Sequence, residues 1–218
     1  MAIKILESHI INQIRAGEVI ERPVSAIKEL IDNSLDANAE HIRITYSHGG
    51  KDFTIEDDGD GISEDDLPLA LEKHATSKLF DINDIKTHGF RGEALASISH
   101  VANISITSRQ EHRDAYKVTS SDCEIIPASG KKGTFIVCSD LFRDFPARRE
   151  FLKSDSYEGS LIKKEVIEFA LCNHTVSFEL KNGKKDIFHY PVANTVEDRI
   201  SQIYGKDFLD NSLKVSGS

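Results

Sequence analysis

Apolar residues recur at helical spacing through Val24, Ile27, Leu30, Ile31 and Leu35, which share an arc of about 140° when successive residues turn by about 100°. Pro23 suits the first turn of that helix, so a helix is predicted over Pro23–Asp36. Two alternating stretches follow, His41–Ser47 and residues 53–57, and read as strands joined through Gly49-Gly50. Ser63, with Glu64, Asp65 and Asp66 behind it, reads as a helix start with acids at the positive end. Gly92 opens another helix over 93–99, and strand-like patterns follow at 103–108, 116–119, 124–126 and 134–138. Residues 161–172 form an amphipathic helix, and Asn182-Gly183 between 176–180 and 184–188 is a hairpin signal. Thr195 caps a last helix ending near Gly205, and near the amino terminus Ser8 caps a short one that Gly17 stops. With several strands in succession and helices interspersed irregularly, the pattern predicts an α+β two-layer sandwich rather than a doubly wound parallel sheet.

Composition narrows the function classes. The chain has 218 residues and a net charge of −9, which disfavours bulk polyanion binding. No apolar run reaches the roughly 18–20 residues of a membrane span. Cys123, Cys138 and Cys172 make no CxxC pair, as expected in a reducing compartment, and are expected to pack as small apolar residues. Nine histidines show no zinc spacing, and His74 reads as structural.

Three stretches carry candidate chemistry. On the helix Pro23–Asp36, Glu29, Asn33 and Asp36 lie opposite the apolar arc, Glu29 and Asn33 one turn apart. Taken alone, that is a solvated face. Phe53, Ile55 and Asp57 share one strand face, so a core-side alternation ends in a carboxylate, which is costly unless donors meet it. The next residues, Asp58-Gly59-Asp60-Gly61, permit a tight turn and close backbone approach. They do not make a calcium loop, because position 12 counted from Asp58 is Leu69. Gly89-Phe90-Arg91-Gly92-Glu93-Ala94-Leu95 runs from a glycine loop into a helix amino terminus, a setting suited to phosphate. It matches neither Walker A nor the Rossmann fingerprint. His74-Ala75-Thr76-Ser77-Lys78 upstream adds hydroxyls and a cation, and Arg148-Arg149 reads as salt-bridged surface before DNA contact.

The order of these stretches resembles the GHKL (Bergerat-fold) ATPases, and within them the MutL-type DNA mismatch repair branch. The resemblance rests on residues 12–23, Lys28-Glu29-Leu30 with Asn33-Ser34-Leu35-Asp36-Ala37, 74–78, 89–99 and Pro146-Ala147-Arg148-Arg149. Two departures are visible: Asp144-Phe145 stands where the family usually has Asn-Thr, and Asp60 occupies a variable position in the glycine motif.

The resemblance implies a mostly antiparallel mixed sheet with helices on one face, and a Mg²⁺-dependent ATPase. By that resemblance Glu29 would be the general base for the attacking water, and Asn33 would ligate Mg²⁺. Asp57 would accept from the adenine amine, with Thr134 beside it through water and Gly61 keeping the pocket wall close. Thr76, Ser77 and Lys78, with Arg91, Gly92, Glu93, Ala94 and Leu95, would enclose the phosphates, and the segment between Lys78 and Gly89 would be an ATP lid. Residues 1–210 are expected to form the ATP-binding domain and 211–218 to begin a second, transducer domain whose lysine reaches the γ-phosphate. On that expectation the 218 residues turn ATP over slowly. The implied role is an ATP-gated dimerisation switch in a cytoplasmic protein. Its full-length form would be a homodimer working with a MutS-like mismatch-recognition protein, other repair factors and DNA. DNA binding by these residues alone is expected to be weak. A phosphotransferase and a non-hydrolysing, nucleotide-gated binding module are the alternatives.

Overall fold

The computed structural model describes residues 20–72 and 94–211. Its elements, in chain order, are α1 (Pro23–Asp36), β1 (His41–Ser47), β2 (Asp52–Asp57), α2 (Ala94–Val101), β3 (Asn103–Arg109), β4 (Ala115–Thr119), β5 (Ile126–Ala128), β6 (Gly133–Ser139), α3 (Pro146–Phe151), α4 (Asp155–Cys172), β7 (Ser177–Asn182), β8 (Lys185–Tyr190), α5 (Val196–Tyr204) and α6 (Lys206–Asp210). The strands form one eight-stranded sheet ordered β5-β4-β3-β6-β2-β1-β7-β8. The β1–β7 pairing is parallel and the remaining pairings are antiparallel. The α+β sandwich expected from the sequence is the fold that forms.

Register explains why one face is covered. A single row crosses seven strands as Phe188, Leu180, Ile44, Ile55, Ile136, Ile106 and Val118. All but Phe188 are buried, and Phe188 packs against the same core. The opposite face of β1 and its neighbours is polar. Arg43 donates to Glu56 at 2.9 Å and to Glu179 at 2.6 Å, and Lys181 pairs with Glu179 and Asp186. Such exposed pairs add little stability each, but they mark this face as the one in water.

Helix α1 has Pro23 in its first turn and buries Ala26, Ile27, Leu30 and Ile31, as its periodicity predicts. The β1–β2 turn passes through Gly49 (φ 68°) and Gly50 (φ 88°), conformations that favour glycine. A Cβ on Gly50 would lie 2.6 Å from Ile162 Cδ1 and 2.7 Å from Pro23 Cβ, so this turn sits between α1 and α4.

Four local expectations are corrected. Ser63 does cap, its Oγ accepting from Asp66 N at 3.1 Å, but a turn and a short 3₁₀ helix (Leu69–Leu71) form instead of an α-helix. Pro68 has no N–H to return to Glu64, which interrupts the ladder. The fifth strand lies at Ile126–Ala128 rather than 124–126, because Pro127 is tolerated on an edge strand. α4 begins at Asp155, not 161: Ser154 Oγ caps it by accepting from Tyr157 N, and Gly159 inside it makes room for the Tyr46 hydroxyl. Helices α3 and α6 are additions to the expected elements. Thr195 caps α5 as expected.

Candidate functional site

The strand β2 ends inward on Asp57, which is only 7% exposed. Three donors meet its carboxylate. The Ser34 hydroxyl lies 2.9 Å from Oδ2, while the backbone N–H groups of Gly59 and Thr134 reach Oδ1 at 3.0 and 3.1 Å. Burial pushes the carboxyl above the usual aspartate range, and the three donors work against that rise. The charge is thus held by α1, by the glycine turn and by β6 together.

Glycines bring backbone close on either side of Asp57. Gly61 has φ 73°, and a Cβ there would lie 2.4 Å from Arg109 O. Gly133 has φ 107°, and a Cβ would come 2.0 Å from Asp57 O. The turn after β2 is fixed by Asp58, whose Oδ1 accepts from Glu40 N and His41 N while Oδ2 contacts His41 Nδ1 at 2.7 Å. These bonds hold the Asp58 carboxyl below the ordinary range despite the cost of burial. Both Asp58 oxygens are engaged by the chain, so Asp58 serves to fix the turn.

Across the sheet, Asp57, Thr134 and Ser108 form one row over β2, β6 and β3. Ser108 Oγ accepts from Ile62 N at 2.8 Å and lies 3.0 Å from Thr134 Oγ1 and 3.1 Å from Gly133 O. The next row of the core is Ile55, Ile136 and Ile106, whereas this one is polar, and its members satisfy one another's hydrogen bonds. On α1, Glu29 and Asn33 are half-buried and one turn apart, and the next residue, Ser34, is the one that reaches Asp57. The helix carrying the acid and the asparagine is therefore tied directly to the strand carrying the buried carboxylate.

Residues 21–138 match the family of histidine kinase-, DNA gyrase B- and HSP90-like ATPases. This chain belongs to that family. Its relatives include the DNA mismatch repair protein MutL of Coxiella burnetii, 45% identical over 100% of this chain and 40% of the relative. MutL of Shewanella loihica is 44% identical over 99% of this chain and 36% of the relative. The chain thus spans about 40% of the length of the curated relatives it matches. Among solved structures, the Aquifex aeolicus MutL ATPase domain complexed with ADP superposes with a TM-score of 0.71 at 26% identity, covering 85% of this chain and 70% of that one. The N-terminal domain of a DNA repair protein gives 0.77 at 29% identity, covering 90% and 60%.

The matched family is one of ATPases, and the eight-stranded sheet has the fold of the solved MutL ATPase domains. Of the residues expected to serve it, Glu29, Asn33, Asp57, Gly61, Ala94, Leu95 and Thr134 fall within the described residues. Asp57 and Thr134 meet through the Thr134 N–H, Gly61 packs against the Arg109 carbonyl, and Ala94 and Leu95 begin α2. Thr76, Ser77, Lys78, Arg91, Gly92 and Glu93, the lid segment, His74 and the first nineteen residues lie outside them. Among the described residues no group of three or more His, Cys, Asp or Glu could hold a metal, and no helix is long and apolar enough to cross a membrane.

Two further readings change. Cys138 packs in the core as expected, but Cys123 and Cys172 are exposed. Arg149 is exposed, while Arg148 is half-buried and also anchors the chain. Its Nη1 donates to Ile20 O at 2.8 Å, and its guanidinium stands about 6 Å from the Phe142 and Phe145 rings. Phe145, at a position where threonine is usual, thus supplies a ring to the arginine that holds the chain entering α1. Ser34 and Ser108 were not among the expected site residues. Ser34 carried a signal: it falls within the Ile27–Leu30–Ile31 arc, where a hydroxyl needs a partner. Ser108 carried no more than a serine in an alternating strand.

Proposed function

We propose that this chain is the ATP-binding and ATP-hydrolysing domain of a MutL-type DNA mismatch repair protein. The observation that carries the reading is the buried Asp57 carboxylate, built round with three donors and glycine walls and tied through Ser34 to the helix of Glu29 and Asn33. An acceptor of this kind suits the exocyclic amine of adenine, and Thr134 lies beside it to read the neighbouring ring nitrogen. Gly61 holds that wall close to the base.

Asn33 offers a neutral side-chain oxygen, a hard donor that fits the Mg²⁺ accompanying the nucleotide, whose remaining positions water and phosphate would fill. Mg²⁺ would supply charge neutralisation at the phosphates. Glu29 accepts the proton of the attacking water as the water oxygen bonds to the γ-phosphorus. The bond from that phosphorus to the bridging oxygen breaks, ADP leaves with the electron pair, and inorganic phosphate is released. Thr76, Ser77, Lys78, Arg91, Gly92, Glu93, Ala94 and Leu95 would enclose the phosphates, with backbone amides at the start of α2 facing negative charge.

In the whole protein, ATP would gate dimerisation of two copies and their work with a mismatch-recognition protein and DNA in the cytoplasm. The acidic charge of these residues argues against tight DNA binding by them alone. Residues 1–210 form the ATP-binding domain in this reading, with 211–218 leading into a transducer domain. Incubation with γ-labelled ATP tests the chemistry. Label released as inorganic phosphate supports hydrolysis. Label retained on protein would mean a phosphotransferase, and ATP binding without either would mean a nucleotide-gated module.

A further inference from the structure

Ser108 is 2% exposed and makes no contact with the Asp57 carboxylate, yet it touches both structures that flank it. Its hydroxyl accepts from Ile62 N, which fixes the residue after Gly61, so its one hydrogen is available elsewhere. Two acceptors compete for that hydrogen, Thr134 Oγ1 at 3.0 Å and Gly133 O at 3.1 Å. The choice sets the polarity of Thr134. If Ser108 donates to Thr134, the threonine hydrogen turns into the site and Thr134 is a donor. If Ser108 donates to Gly133 O, it can only accept from Thr134, which then offers lone pairs to a ligand.

Resting on the adenine-binding reading above, we infer that Ser108 is a specificity-determining positioning residue for the base. By donating to Thr134 Oγ1 it sets a hydroxyl donor next to the Asp57 acceptor. The 6-aminopurine edge presents the complement, an amine donor beside the N1 acceptor. A water standing between Thr134 and the base would not relax the requirement. With its hydrogens committed to Asp57 and N1, that water must still accept from Thr134. Two adjacent acceptors would leave N1 unserved, so the polarity of this buried row selects the base as much as its shape does.

Readout of N1 can be separated from readout of the amine. Affinities for ATP, 1-deaza-ATP (amine kept, N1 removed) and purine riboside triphosphate (N1 kept, amine removed) are measured by calorimetry on the parent chain, Ser108→Ala, Ser108→Cys and Thr134→Val. The parent should prefer ATP to both analogues. In Ser108→Ala the preference over 1-deaza-ATP should fall by about fivefold, the scale of one hydrogen bond. The preference over purine riboside triphosphate, read by Asp57, should persist. Thr134→Val should do the same, and adding Ser108→Ala to it should change nothing further. Ser108→Cys keeps a donor and acceptor at the position but weakens both bonds, so it should fall between parent and Ser108→Ala. A purely structural role for Ser108 predicts equal weakening of all three ligands with the ratios unmoved, and that result would overturn the inference. A parent chain indifferent to the amine would instead overturn the assignment of Asp57, and the role of Ser108 with it.

Discussion

The Ser34 hydroxyl lies 2.9 Å from Asp57 Oδ2 and 3.1 Å from Leu30 O, so one hydroxyl joins the helix of Glu29 and Asn33 to the strand end that carries the buried acid. With a single hydrogen it serves one acceptor at a time, and the ionised carboxylate is the stronger of the two. Ser34→Ala therefore removes a donor from a charge that burial already disfavours. The Asp57 carboxyl should titrate at still higher pH, and the domain should lose about 1–3 kcal/mol of stability, the cost of an unmet buried group. Carbon-detected NMR titration of Asp57 and denaturant melts check both effects, and an unchanged titration would mean that Ser34 serves Leu30 alone.

On the proposed role of Asp57 as the acceptor for adenine, its raised pKa predicts a pH dependence of ATP binding with a definite sign. The adenine amine needs a carboxylate acceptor, so affinity should be level above the raised value and decline as pH falls through it. The unliganded protein behaves oppositely. A buried acid with a raised pKa contributes stability that is present at low pH and lost as pH rises from the unfolded value through the folded one. Asp57→Asn should flatten the binding profile in this window. Its stability should also compare better with the parent at neutral than at acid pH, as read by melts across the pH range.

Glu29 is assigned to the water and not to the ground-state nucleotide. Glu29→Ala should therefore keep ATP affinity near that of the parent while single-turnover hydrolysis falls by at least about 10²-fold. Asn33→Ala should weaken the part of binding that depends on Mg²⁺ and leave the metal-free part alone. Hydrolysis by Glu29→Ala at the parent rate, with contaminating ATPases removed, would require another base.

Arg22 Nη1 donates to Glu158 Oε1 at 2.7 Å, and Lys153 N reaches the same oxygen at 2.9 Å. The Glu158 side chain is 2% exposed, so Arg22→Ala strands a buried carboxylate and should cost about 3 kcal/mol. Glu158→Gln, which keeps the shape and removes the charge, should cost less. Melts of the two variants decide this, and equal losses would mean that packing rather than charge holds the pair.

Elements with a repeating apolar pattern were legible in the chain. The arc of Ile27, Leu30 and Ile31 defined α1, and the alternation of Phe53, Ile55 and Asp57 showed that a carboxylate points inward. The donors that meet it were only partly legible: Ser34 stood out as a hydroxyl in the apolar arc and Thr134 was expected nearby, but that Ser34 and two backbone N–H groups, of Gly59 and Thr134, all reach the carboxylate follows from sheet register and one turn. Pro127 and Pro68 act in opposite ways: an edge strand accommodates the first, while the second cuts short a helix whose cap is present. Phe145 departs from the usual family residue, and its use lies in a tertiary contact that the sequence does not carry: Arg148 stands beside the Phe142 and Phe145 rings while holding Ile20.

The assignment of the site stands on the buried Asp57 carboxylate reading a 6-aminopurine. Calorimetric titration of the 218-residue chain with ATP and with GTP, each with Mg²⁺, asks this in one step. GTP would set its carbonyl oxygen against Asp57, so ATP should bind more tightly by a factor of up to roughly 10⁴, and the ratio should shrink in Asp57→Asn. Equal affinity of the parent chain for the two nucleotides would be incompatible with that role for Asp57.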